Sequence, residues 1–166
     1  MLVWYFRNPV EKKLKFNKNT PLKILKLLGS VNSAPYYESQ TSELIIHVLS
    51  KSNIPFSKDN FGNIIAHYKL DKSNNNINPI AYVAHMDHPG FEPIELRGST
   101  IVAEARGGVP SSSFFNPVPV EAVFRDGKRL KAHLAGTDGD PKDRRVLVNI
   151  EEAPIHSLPA LVVFDL

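Results

Sequence analysis

The sequence predicts an α/β domain interrupted by a small β-barrel-like insert, and three observations predict it. Two amphipathic helical patterns come early, over 20–29 and about 37–52. An almost unbroken apolar run, Pro79-Ile80-Ala81-Tyr82-Val83-Ala84, then reads as a strand buried on both faces of a sheet. Beyond Phe91 the pattern changes to short strand-like runs separated by Gly- and Asp-rich turns.

Taken in order, residues 7–19 carry Lys12, Lys13, Lys15 and Lys18. They read either as a contact for an anionic surface or, more plainly, as a solvated lead-in. Thr20 followed by Pro21 suits a helix start, and Gly29 suits its end, with Leu22, Ile24, Leu25, Leu27 and Leu28 between. In the second helix Leu44, Ile45, Val48 and Leu49 recur at helical spacing and give one buried face. Asp59-Asn60-Phe61-Gly62 is a turn, and Asn63–Tyr68 a strand. Lys72–Asn76 is a polar loop before the apolar run. Strand-like runs follow at Ser99–Ala105, Val118–Phe124, Arg129–Ala135 and Arg145–Ile150, and Ala160–Leu166 reads as one more buried strand. The expected organisation is therefore 1–91 as the α/β part, 92–158 as the β-rich insert, and 159–166 as a strand returning to the α/β part.

Composition bounds the function. A chain of 166 residues, 42% hydrophobic and 22% charged, is long enough to bury a core without covalent staples. With no Cys, disulfide scaffolds, thiolate zinc sites and cysteine nucleophiles are excluded. A net charge of +3 falls short of the dense basic patches of a nucleic-acid binder, and no nucleic-acid partner is expected. The N-terminal run Met1–Phe6 is far shorter than the roughly 20 apolar residues that span a bilayer, and it lacks a signal-peptide pattern. No membrane association and a cytoplasmic location are expected.

The chemistry concentrates where the apolar run ends, at His85-Met86-Asp87-His88-Pro89-Gly90. Strand ends are where open α/β sheets place their sites. A histidine can bind a metal through one ring nitrogen while a carboxylate nearby holds the other ring N–H. His85 is the candidate metal ligand and Asp87 the candidate catalytic residue; on its own the pattern reads more plainly as a polar strand exit. His88 reads as a rim residue. Asp138, Asp140 and Asp143 supply oxygen ligands of the kind calcium prefers, but a solvated turn is the plainer reading, and no EF-hand pattern is present. His47 and His67 read as partly buried packing residues.

Three segments in order change the weight of His-x-Asp: Ser33-Ala34-Pro35-Tyr36-Tyr37-Glu38, Asp59-Asn60-Phe61-Gly62-Asn63 and Ala84-His85-Met86-Asp87-His88-Pro89-Gly90-Phe91. Together they resemble the N-terminal part of the dinuclear-zinc aminopeptidases of the glutamyl and tetrahedral aminopeptidase family, over about residues 20–166. Val163-Phe164-Asp165-Leu166 resembles the stretch by which that family returns to its catalytic domain. The resemblance implies a partial three-layer αβα zinc-peptidase-like domain with a β-rich insert. It implies that His85 is a ligand to zinc or another divalent metal, that Asp87 orients it, and that the substrates are peptides with free N-termini. In such sites two metal ions polarise the scissile carbonyl and activate water, and a glutamate is the general base.

This sequence departs from that pattern at His88, where the family has an acidic residue. The family's bridging Asp, Glu-Glu pair, later acidic ligand and final His lie downstream of the returning strand, and no matching positions occur here. Glu151-Glu152 precedes that strand and does not replace the pair. The chain alone is therefore expected to be inactive, and to act with a complementing C-terminal half or as a homo-oligomer. The alternative is a non-catalytic binding or assembly module with a vestigial metal site.

Overall fold

The computed structural model describes residues 2–7, 20–69, 80–115, 117–151 and 154–165. The basic stretch 8–19 and the Asn-rich loop 72–76 lie outside them. The chain forms two compact units. One holds the described residues up to Val31 together with Glu38–Met86; the other holds Asn32–Tyr37 and the residues from Asp87 on.

The first unit contains β1 (Leu2–Arg7), α1 (Thr20–Gly29), α2 (Ser39–Lys51), β2 (Phe56–Lys58), β3 (Ile64–Lys69) and β4 (Ile80–Ala84). Its four-stranded sheet has the order β2-β3-β1-β4. β1 runs parallel to β3 and antiparallel to β4, with Trp4 opposite Ala66 and Tyr82. The β-prone composition of Leu2–Phe6 is the local reason for this strand. One face of α2 supplies the core: Leu49 is buried with Ile64 and Ala66 of β3 and with Met86, and Ile45, Ile46, Ile54 and Phe56 pack against them. α1 buries none of its residues, and Leu22, Leu25 and Leu27 are exposed.

The second unit is a closed barrel built from β5 (Gly90–Arg97), β6 (Thr100–Arg106), β7 (Pro119–Val123), β8 (Arg129–Thr137), β9 (Arg145–Ile150) and β10 (Leu161–Phe164). All neighbours pair antiparallel, in the closed order β10-β5-β6-β9-β8-β7. Alternation along the strands fills it, since successive side chains point to opposite faces. Leu130, Ala132 and Leu134 of β8 and Val146, Val148 and Ile150 of β9 point inward, and Arg129, Lys131 and Arg145 point out. Phe91, Ile101 and Phe114 complete the core, and Phe91 meets Phe164 edge to face with ring centroids 5.3 Å apart. Closure removes the open strand edges that would otherwise seek partners.

Three expectations are corrected. The molecule is not a three-layer αβα domain; it is mostly β, a closed six-stranded antiparallel barrel with two short α-helices among the described residues. In the first unit, α2 supplies a covering face to the sheet whereas α1 buries nothing, so two helical layers are not formed. The apolar run at 80–84 is an edge strand with all five residues exposed, not a doubly buried one. The last strand does not pair with the first sheet: β10 sits between β5 and β7, with Val163 opposite Gly90 and Glu121.

Candidate functional site

β4 runs directly into His85-Met86-Asp87. Met86 is buried in the core of the first unit, and His85 beside it is exposed. The division between the two units falls between Met86 and Asp87. Asp87 and His88 are half-buried in the second unit. Among the described residues no three His, Asp, Glu or Cys side chains are grouped so as to hold a metal ion. Zinc is held by about four ligands. One imidazole and one carboxylate fall short of that, so the described residues do not by themselves fit a dinuclear or even a mononuclear zinc centre.

The motif residues around this segment have physical roles of their own. Asp59 organises the turn before β3. Its Oδ1 accepts from the Phe61 and Asn63 N–H groups at 2.9 and 2.8 Å, and its Oδ2 accepts from Asn63 Nδ2 at 2.7 Å. These bonds, the Asn63 side chain first, hold the Asp59 carboxyl below its ordinary range. Gly62 takes φ of 87° inside the turn, a conformation that favours glycine. The D-x-x-G-N pattern is thus a turn that starts a strand.

Ser33-Ala34-Pro35 is likewise a packing device. Ala34 is 0% exposed and clusters with Val123, Leu161 and Val163 of the barrel. A methyl group built on Gly90 would meet Ala34 Cβ at 3.0 Å and the Val162 carbonyl oxygen at 3.2 Å, so the glycine is required for the close approach. Pro35 and Pro89 converge on Gly107: a methyl there would lie 3.5 Å from Pro35 Cγ and 3.4 Å from Pro89 Cα.

Tyr36 was not singled out by sequence. Ala34–Tyr37 is a β-turn closed by the Tyr37 N–H, which donates to the Ala34 carbonyl at 2.8 Å. Pro35 is second, and Tyr36 is third with φ of 74°. That is a type II arrangement, whose third position normally takes Gly or Asn. A side chain there costs about 1–2 kcal/mol. The Tyr36 residue is nevertheless 83% exposed. A Pro-Tyr pair carries no turn signal in the third position, which is why the residue escaped notice.

Several charged groups on the barrel are paired with each other. Arg106 donates to Glu92 at 2.5 and 2.8 Å and to Glu104 at 3.0 Å, and these bonds raise its affinity for its proton. Arg97 bridges Glu95 and Asp138, which raises its pKa and lowers that of Glu95. Asp138 is therefore committed to Arg97, and Asp140 caps the short turn Pro141–Asp143 by accepting from the Lys142 N–H. These aspartates do structural work. Glu151 is exposed, and Glu152 lies outside the described residues. His47 and His67 are exposed on α2 and β3, not packed as expected. No helix among the described residues is long and apolar enough to cross a membrane.

No protein-family model matches the chain, and none of the curated proteins matches it.

Proposed function

We propose that this chain contributes His85 to a metal-dependent aminopeptidase-type centre acting on peptides with free N-termini, and that it hydrolyses no peptide by itself. The observation that carries the reading is His85: an exposed imidazole at the end of β4, anchored by the buried Met86 that follows it. Ala34, Gly90, Asp59 and Asn63 of the ordered motifs make local packing and turn contacts. The remaining metal ligands and the general base come from polypeptide outside the described residues, such as a complementing C-terminal half. The test is hydrolysis of leucyl-p-nitroanilide by the purified chain with added zinc or cobalt. The expected rate equals that of His85→Ala. Robust turnover abolished by His85→Ala overturns the claim that the chain is incomplete.

One observation favours a second reading, a non-catalytic assembly module. β4 is an exposed sheet edge without a charged residue, so two copies can pair along it with no like charges opposed. The occupant in this reading is a second copy of the chain. Light scattering decides it: a concentration-dependent dimer abolished by Tyr82→Lys supports self-assembly, and a monomer at every concentration overturns it.

A further inference from the structure

We propose that α1 docks the protein on an anionic lipid surface, with Leu22 and Leu25 entering the headgroup boundary and the lysines of the same helix meeting the lipid charge. At 3.6 residues per turn, Leu27, Ile24, Leu28, Leu25 and Leu22 follow one another round an apolar arc of roughly 220°, and Lys26 and Lys23 fill the rest. The arc is only partly covered. Ile24 and Leu28 at its centre are half-buried, while Leu22, Leu25 and Leu27 are 57%, 65% and 48% exposed. Leu22 and Leu25 lie together on one side of it, bordered by Lys26. Charge says what meets this face. The helix has no acidic residue, and neither lysine is in an ion pair among the described residues. The surrounding sequence is equally one-sided: positions 7–29 hold seven Lys or Arg against one Glu, although the whole chain carries only +3. The rest of the chain is therefore net acidic, and the positive charge is local to this end. Two copies meeting on this face would bring their lysines together, which disfavours a second copy as its occupant. An anionic bilayer suits both halves of the helix: leucines enter the acyl boundary, and lysine stems carry their charge up to the phosphates. At about 15 Å the helix is too short to span a bilayer and would lie in its surface. The expectation of no membrane association rested on the lack of a spanning run and of a signal pattern, and an interfacial helix needs neither.

The experiment mixes the intact chain with vesicles of phosphatidylserine and phosphatidylcholine in equal parts, or of phosphatidylcholine alone, and measures the bound fraction by sedimentation. The chain binds the anionic vesicles in preference to the neutral ones, and binding weakens as salt rises. Leu22→Ser combined with Leu25→Ser weakens binding about tenfold or more, because two apolar side chains no longer leave water. Lys23→Glu combined with Lys26→Glu weakens it by about as much. Both variants keep the wild-type melting midpoint, since α1 buries none of its residues. Three results overturn the inference: no binding to the anionic vesicles, equal binding to the neutral ones, or binding unchanged by the leucine pair, which reduces it to adsorption of basic sequence. Light scattering without lipid supplies a fourth. A dimer abolished by the leucine pair gives the face to a second copy and overturns the lipid reading. None of these variants touches His85, so the two proposals stand or fall separately.

Discussion

Replacing Gly90 by alanine tests how the barrel is closed. Gly90 opens β5 and lies opposite Val163 of β10, the pair that seals the barrel. Its φ is not in the left-handed region, so an added methyl is judged on space alone. That methyl would sit 3.0 Å from Ala34 Cβ and 3.2 Å from the Val162 carbonyl oxygen. Carbon atoms are comfortable at about 3.5–4.0 Å, so the overlap with Ala34 is about 0.5–1 Å. Neither neighbour can retreat easily: Ala34 is 0% exposed, and Val162 is backbone in a strand bonded on both sides. Overpacking of this kind costs about 1–3 kcal/mol. The lower entropy of an unfolded chain with alanine offsets about 0.4–1 kcal/mol of it. The net expectation is a loss of about 1–2 kcal/mol, measured by urea denaturation. The double variant Ala34→Gly, Gly90→Ala should recover part of the loss, because only the Val162 contact remains. A Gly90→Ala protein at least as stable as the wild type refutes the argument. So does a double variant whose penalties simply add, since residues in contact should couple by 0.5 kcal/mol or more.

Two further outcomes follow from single residues. The Thr41 hydroxyl in the first turn of α2 is buried with no hydrogen-bond partner among the described residues. Thr41→Val, of the same shape, should therefore stabilise the protein by about 1 kcal/mol in thermal or urea melts, and a destabilised variant contradicts the assignment. Asp59 has a lowered pKa, so its contribution to stability is complete above its ordinary value of 3.8 and is lost as pH falls through the lowered one. Asp59→Asn should flatten the acid limb of a stability–pH profile below about pH 4 while leaving its shape near neutrality unchanged; an unchanged acid limb contradicts it.

Much of the barrel was legible because β8 and β9 alternate apolar and polar residues between glycine-bearing turns, a local signal that survives folding unchanged. β4 misled for the opposite reason. Ile80–Ala84 is apolar at every position, and the pattern specifies what the strand could bury, not whether anything covers it. The partner of the last strand was equally hidden, because Leu161–Phe164 would read the same in either sheet; the Val163–Gly90 register and the Ala34 contact that fix it are tertiary. At the candidate site, His85 stood out by its place after an apolar run. Tyr36 did not, because its special feature is a backbone angle at a position where tyrosine is not expected.

The central claim is that His85 is a metal ligand awaiting completion, and a zinc titration followed by NMR of the histidine rings tests it most directly. His47 and His67 are exposed too and serve as internal controls. The account predicts that zinc perturbs the His85 ring first and binds weakly, without turnover of a peptide anilide. Equal perturbation of all three rings, or tight binding of two zinc ions with turnover, contradicts it.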